Sequence, residues 1–185
     1  MLTSILILII FVVLVVLTFI LYYNRFAVLS NRIDNSLGQI DVQLKRRADL
    51  IPNLIETVKG YAKHETAAIK EVTEARKALV SAKGMEKKVT ADRTLEGALG
   101  RLFAIAEGYP DLKANTNFLE LQRELATTED RVAYARQFYN DSILSYNNLT
   151  RTFPGAFFAR IFGYKEREYV QILESERKLP KVSFN

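Results

Sequence analysis

The chain has 185 residues, a formal net charge of +5 and no cysteine. Without cysteine it can form no disulfide, no thiolate metal site and no lipoprotein anchor. Basic and acidic residues alternate along the sequence, which indicates a solvated helical surface and argues against nucleic-acid binding.

The first 24 residues contain no charged side chain, and nearly every residue from Ile5 to Leu21 is a large aliphatic residue or Phe. A run of about 20 apolar residues is long enough for a helix to cross the hydrocarbon core of a bilayer. No positive region precedes the run and no small-residue cleavage site follows it, so a permanent span is favoured over a signal peptide. Tyr22 and Tyr23 stand where an interfacial aromatic belt is expected.

Positive charge follows the span, at Arg25, Arg32 and the tripeptide Lys45-Arg46-Arg47. The positive-inside rule therefore predicts an N-terminus outside the cell and a C-terminal domain in the cytoplasm. No Gly or Pro separates the run from the segment after it, so the span is predicted to continue into the first helix of that domain.

The first helix beyond the span is predicted from apolar residues that recur at spacings of three and four. Pro52 interrupts it and allows either a kink or a turn with Asp49 as a nearby cap. The stripe passes from Ile51 to Leu54 without a change of phase, which favours the kink. The stripe consists of Phe26, Leu29, Ile33, Leu37, Ile40, Leu44, Ala48, Ile51, Leu54, Val58 and Tyr61, and it resumes at Ile69, Val72 and Leu79.

Two further long helices are predicted after Gly84, which is expected to end the first one as a left-handed cap. The second covers about residues 86–107, and the third runs from about 117 to 153 with Thr116 or Asn117 as its N-cap. The third has the most regular spacing, through Phe118, Leu121, Leu125, Thr128, Val132, Ala135, Tyr139, Ser142, Tyr146, Leu149 and Phe153.

Helices with single apolar stripes can bury those stripes only against each other. The predicted fold is therefore all-α: a transmembrane helix followed by an antiparallel up-and-down bundle of three long helices plus a short C-terminal one over 166–178. A coiled-coil oligomer is the alternative, which the short connections disfavour. The predicted division is a transmembrane anchor over 1–24, a bundle over 25–155 and an aromatic tail over 156–185.

The tail allows two interpretations. Phe157, Phe158, Ile161, Phe162 and Tyr164 cluster around Arg160 and Lys165. The favoured interpretation is that the tail caps the bundle core, and the alternative is an amphipathic stretch that lies on the membrane.

No catalytic motif is recognisable. His64 is the only histidine, whereas a zinc-protease helix needs HExxH and a di-iron bundle needs Glu-x-x-His twice. Phosphate-binding glycine motifs are absent as well. We therefore predict a protein that is not an enzyme and that binds no cofactor and no metal.

Two long stretches carry a resemblance to a known family. QIDVQLKRRADLIPNLIETVKGYAKHE, from Gln39 to Glu65, is similar to the signature of the LemA family of bacterial membrane proteins. LFAIAEGYPDLKANTNFLELQRELATTEDRVAYARQFYNDSILSYNNLTRTFP, from Leu102 to Pro154, resembles the second half of that family. The resemblance implies a bundle of long antiparallel helices in the bacterial inner membrane and no known reaction.

The resemblance also marks polar positions as a candidate partner surface. They are Gln39, Asp41, Gln43, Lys45, Arg46, Arg47, Asp49, Asn53, Glu56, Glu107, Tyr109, Asp111, Asn115, Gln122, Glu129, Arg136, Tyr139 and Asn140. The plain structural interpretation of several of them is hydrogen bonding between helices that fixes register.

We therefore predict a membrane-tethered interaction module or scaffold. Its expected partners are the lipid bilayer and other membrane proteins, with a second copy of the chain as one candidate. The family resemblance adds membrane-bound proteases of the HtpX type as another. The alternative is a lipid-binding or membrane-shaping protein, suggested by the tail, the Lys-Arg-Arg tripeptide and the tether.

Overall fold

A computed structural model describes residues 2–170 of the chain. Within that part there are six α-helices and no strand, which confirms the all-α class. The helices are α1 (Leu2–Tyr61), α2 (Thr66–Ser81), α3 (Met85–Ala106), α4 (Pro110–Lys113), α5 (Thr116–Arg151) and α6 (Gly155–Phe162).

Helix α1 joins the apolar run to the bundle without a break, as predicted. The residues from Leu2 to Leu17 are exposed, and the described chain contains this one candidate membrane span. Most of the predicted stripe is buried, including Phe26, Ile33 and Ile40. Most of the exposed apolar side chains of α1 therefore lie in the apolar run, where lipid can cover them, and Val28 and Val42 are exceptions further along the helix.

Pro52 lies inside α1, so the turn alternative is wrong. Proline has no N–H, and the Ala48 carbonyl therefore loses the donor that a helix normally supplies four residues later. Nε of Arg76 on α2 donates to the Ala48 carbonyl oxygen at 2.8 Å. A side chain from a neighbouring helix thus replaces the missing backbone donor.

Replacing Arg76 with alanine is expected to lower the free energy of unfolding by about 1–3 kcal/mol, because a half-buried carbonyl loses its partner. Chemical denaturation of the full chain in detergent micelles, followed by circular dichroism, measures the change. Lys77→Ala, one residue further along and exposed, is the control. Pro52→Ala restores the backbone donor, so the Arg76 substitution should cost less in that background; an equal cost in both backgrounds would contradict this role.

The structure has more long helices than the sequence predicts. Residues 62–65 interrupt the stripe that was expected to form one helix up to Ser81, and the segment after the break is the separate helix α2. Gly84 has a positive φ of 85°, as expected of a glycine. It stands immediately before α3 instead of capping α2, whose C-cap is Ala82.

The described chain separates into two compact units, which share α1 and α5. The first contains residues 2–38 and 136–169, and the second contains Gln39–Ala135. In the second unit α2 and α3 pack on each other. Arg101 of α3 pairs with Glu71 of α2, and this ion pair raises the pKa of Arg101 and lowers that of Glu71.

In the first unit α1 and α5 run antiparallel. Phe26 packs edge-on against Tyr146 with ring centroids 6.0 Å apart, and the Arg32 guanidinium lies 4.8 Å from the Phe138 ring centre. In these two contacts the residue number rises along α1, from 26 to 32, while it falls along α5, from 146 to 138. The up-and-down arrangement is therefore observed in this pair.

Asn147 is a buried polar residue in the last turns of α5. Its amide nitrogen donates to the Arg167 carbonyl and its amide oxygen accepts from the Arg167 N–H, both at 2.9 Å. The pair of bonds holds the segment after α6 against α5, which gives this buried asparagine a structural role.

Two predictions for the C-terminal part need correction. Phe153 was expected on the buried stripe, but α5 ends at Arg151 and the Phe153 side chain is exposed. Residues 166–170 are not helical, and the rest of the helix predicted over 166–178 lies outside the described residues. In α6, Phe158 and Ala159 are buried, so one face of the tail packs on the first unit.

Asn115 is the N-cap of α5, in place of the predicted Thr116 or Asn117. Its side-chain oxygen accepts a hydrogen bond from the Phe118 N–H at 3.0 Å, which satisfies one of the unpaired donors of the first turn.

Asn115→Ala is expected to lower the free energy of unfolding by about 0.5–2 kcal/mol, because that donor loses its acceptor. Asn117→Ala is the matched control, since Asn117 is exposed inside the helix and alanine is the better helix former. Chemical denaturation should show Asn115→Ala to be less stable than Asn117→Ala. If Asn117→Ala were the less stable variant, Asn117 and not Asn115 would be the N-cap.

Candidate partner surface

Three of the predicted surface positions line one groove. Asp41, Lys45 and Asp49 are four residues apart on α1 and therefore share a face of that helix. They lie on a groove of about 260 Å³ between α1, α2 and α3, here called the Lys45 groove. The remaining lining residues are Leu44, Ala48, Arg76, Leu79, Val80 and Lys88.

The Lys45 groove combines an apolar floor with charged walls. Leu44, Ala48 and Leu79 are buried in the floor, and Val80 is exposed. Nζ of Lys88 lies 2.6 Å from Oδ1 of Asp41, so these two charges of the wall compensate each other. Such a groove can take up an apolar side chain whose neighbours are polar.

Arg47 is buried, so its side chain is not on the accessible surface of this structure. Its side chain and that of Asp92 on α3 are each 2% exposed, and Nη1 of Arg47 lies 2.9 Å from Oδ1 of Asp92. Nη2 lies 3.1 Å from Oε2 of Glu129 on α5, whose side chain is 48% exposed. One guanidinium thus joins three helices of the second unit.

The pKa of Glu129 is raised. Desolvation by burial is the largest cause, the positive charge of Arg47 lowers the pKa, and the negative charges of Glu96, Asp92 and Asp130 raise it further. The protonated form of Glu129 is therefore favoured by folding. Its contribution to stability is present below the ordinary pKa and is lost as the pH rises through the raised one.

Another group of predicted positions surrounds α4. Glu107 pairs with Lys113, and the Asn115 amide nitrogen donates to the Tyr61 hydroxyl at 2.9 Å. The Tyr109 hydroxyl donates to Oε1 of Glu65 at 2.7 Å. This hydrogen bond, then burial, then the negative charge of Glu65 raise the pKa of Tyr109 above 10.0.

The raised pKa of Tyr109 predicts that the stabilising effect of its hydroxyl group is lost at alkaline pH. The stability that the Tyr109 hydroxyl contributes is present below its ordinary pKa of about 10 and is lost as the pH rises through the folded-state pKa. We expect the difference in melting temperature between the natural chain and Tyr109→Phe to shrink above that pH. Tyr134→Phe, at an exposed tyrosine, should show no such trend. Thermal melts at a series of alkaline pH values measure both; a constant difference for Tyr109→Phe would contradict the assignment.

The other predicted positions do not join these groups. Gln43 is half-buried, and its side-chain oxygen is a buried acceptor without a partner. In the first unit, Arg136 and Asn140 are half-buried, whereas Tyr139 is buried and burial raises its pKa. The remaining exposed positions of the second unit are Gln39, Arg46, Asn53, Glu56, Asp111 and Gln122.

Sequence reasoning missed the parts of the site that α2 and α3 contribute. Arg76, Val80 and Lys88 come from helices that the prediction either merged or left without polar roles. Asp92 carried a detectable signal, because it stands three residues after Val89 and three before Leu95. A carboxylate on an apolar stripe at that spacing indicates a buried partner of opposite charge.

Among the described residues there is no group of three His, Asp or Glu side chains that could hold a metal ion. His64 is exposed in the segment between α1 and α2, as expected for a lone surface histidine.

Comparison with known proteins gives a family match and several relatives. A family model described as the LemA family matches residues 36–184. Magnetosome protein MamQ 2 of Paramagnetospirillum magneticum is 26% identical over 186 residues, which cover 86% of this chain and 68% of the relative. Protein LemA of Metamycoplasma hominis is 29% identical over 129 residues, or 67% of this chain and 57% of the relative. Magnetosome protein MamQ of Magnetospirillum gryphiswaldense is 26% identical over 178 residues, which cover 82% of this chain and 65% of the relative.

Proposed function

The chain belongs to the LemA family, and on that premise we propose that it is a non-enzymatic scaffold that tethers partner proteins to the bacterial inner membrane. The observation that carries this proposal is the continuity of α1. One helix contains the exposed apolar run and, further along, the α1 wall of the Lys45 groove. A partner held in that groove is thereby attached to the bilayer.

The chemistry of the groove indicates the kind of partner. Its buried floor suits an apolar side chain, and exposed Lys45 and Asp49 can pair with charges of either sign beside it. We therefore propose that the groove binds a protein segment with an apolar anchor residue between charged neighbours. Membrane-bound proteases of the HtpX type and a second copy of this chain are the candidates to probe first.

Site-specific photo-cross-linking in native membranes tests the groove. A photoreactive residue at Val80, inside the groove, should give a reproducible cross-linked product that Lys45→Glu weakens. The same residue at Val42, an equally apolar and exposed position of α1 outside the groove lining, is the control. No reproducible product from Val80, or products that do not differ between the two positions, would refute the groove as the binding site.

The proposed orientation places the N-terminus outside and the domain in the cytoplasm, supported by the basic residues that follow the span. Alkaline phosphatase fused after Asn185 should then be inactive, and a green fluorescent protein fused there should fluoresce. Active phosphatase would reverse the orientation.

A lipid-binding or membrane-shaping role is the second candidate. The Lys-Arg-Arg tripeptide supports it less than expected, because Arg47 is buried and only Lys45 and Arg46 are exposed. The exposed aromatic and aliphatic residues of α6 support it more. Adding anionic vesicles to the full chain separates the two roles. A lipid-binding protein should bind the vesicles through its C-terminal part, whereas a scaffold for proteins does not require such binding.

A further inference from the structure

We propose that α6 is a second membrane element, a short helix that lies in the lipid–water interface beside the end of the span, with Phe157 and Ile161 inserted among the lipids. This goes beyond the proposed scaffold, which requires only the span.

The depth of α6 follows from its contacts with α1. The Phe158 ring lies edge-on to Phe19 with centroids 5.0 Å apart and stacks on Tyr22 at 4.5 Å. The Phe162 ring lies 5.5 Å from Tyr23. Phe19 is part of the apolar run, and at about 1.5 Å per residue it stands only a few ångströms from the two tyrosines. If the membrane-spanning part of α1 ends at Tyr23, α6 must lie at the depth of the last turn of that span.

A neighbouring face of α6 is apolar and, within the described part of the chain, exposed. Phe158 and Phe162 are four residues apart and face α1, whereas Phe157 and Ile161 are four apart on another face. Phe157 is 55% exposed and Ile161 is 50% exposed. Phe153, just before the helix, is exposed as well. A helix whose outer face met water would carry polar residues there.

Lipid is the occupant that fits this face. Ile20 and Leu21 of α1 are exposed at the same level, so the apolar surface of α6 continues that of the span. Exposed Arg25, Arg160 and Lys165 flank it, where their charges can reach lipid headgroups while their stems stay in the apolar layer. Short interfacial helices bind in this way, with one face submerged and cations at the rim.

Quenching of a single tryptophan by brominated lipids tests the proposal, because the natural chain has no tryptophan. The full chain is reconstituted in vesicles whose acyl chains carry bromine close to the headgroup or close to the bilayer centre. Phe157→Trp and Ile161→Trp report on α6, and Leu14→Trp reports on the span. Leu144→Trp is the matched control, since Leu144 is aliphatic, 48% exposed and on α5 in the same unit.

We expect both α6 variants to lose most of their fluorescence in lipids brominated near the headgroup and less in lipids brominated near the centre. Leu14→Trp should show the reverse order, and Leu144→Trp should keep its intensity in both. Quenching of Leu14→Trp tests the span by itself, so failure of the span and failure of the α6 proposal are distinguishable.

Two results would overturn the proposal. One is that the α6 variants behave like Leu144→Trp. The other is a blue-shifted emission without quenching, which would place a second copy or another protein on this face. As a second measurement, Ile161→Cys should resist a membrane-impermeant maleimide in vesicles, whereas Leu144→Cys should react; the natural chain has no cysteine to interfere.

Discussion

Replacing Arg47 with alanine is expected to lower the free energy of unfolding by about 3–5 kcal/mol, because it removes one member of a buried ion pair. Asp92 and Arg47 are each 2% exposed, and the ion pair between them measures 2.9 Å. The same substitution releases Glu129 and so removes a link among three helices. Chemical denaturation of the full chain in detergent micelles, followed by circular dichroism, measures the loss.

Arg46→Ala is the matched control, since it deletes the neighbouring arginine from an exposed position. Surface substitutions of this kind usually stay within about 0.5 kcal/mol. The double substitution Arg47→Met with Asp92→Leu should recover most of the loss, because a buried ion pair replaced by apolar residues costs little. A double variant as unstable as Arg47→Ala would mean that packing of the arginine stem, and not the broken ion pair, causes the effect.

Gly155→Ala is expected to cost about 1–3 kcal/mol, because the added methyl group overfills a tightly packed site. Gly155 is the first residue of α6, and a Cβ there would overlap the Leu149 carbonyl oxygen of α5 and lie 3.0 Å from Leu149 Cδ1. A backbone oxygen cannot rotate away as a side chain can. Helix α6 must therefore shift from α5, and Phe158 with it from Phe19 and Tyr22.

Gly100→Ala is the matched control with the opposite sign. Gly100 lies inside α3, and a Cβ there would meet nothing within 4 Å. Alanine should stabilise that helix by about 0.5–1 kcal/mol. Under the same conditions, the denaturation midpoint should therefore fall for Gly155→Ala and rise for Gly100→Ala. If Gly155→Ala left stability unchanged, the close approach of α5 and α6 would carry no energetic weight.

Local sequence rules were sufficient for the class of fold and for most buried faces. Burial of Phe26, Ile33, Ile40 and Ile51 follows from spacing alone, because the period of an α-helix fixes which residues share a face. The length and purity of the apolar run likewise indicated the span. These features depend only on residues close together in the sequence.

The same rules failed where one apolar pattern is compatible with two backbones. Residues with helical spacing up to Tyr61 and again from Ile69 were predicted to form one helix, although α1 ends at Tyr61 and α2 begins at Thr66. Phe153 keeps the spacing of the α5 stripe but lies beyond the end of that helix. Periodicity indicates a face and cannot by itself locate the end of a helix.

Only the tertiary structure decided which partner each buried polar group has. Arg47 was predicted as a partner-surface residue from the family resemblance, yet it pairs with Asp92, 45 residues away in the sequence. The Ala48 carbonyl above Pro52 obtains its donor from Arg76, 28 residues away. A buried charge or carbonyl must find a partner somewhere in the folded chain. The sequence by itself therefore determined that this protein is a membrane-tethered helical bundle, whereas packing determined which polar residues remain free to meet a partner.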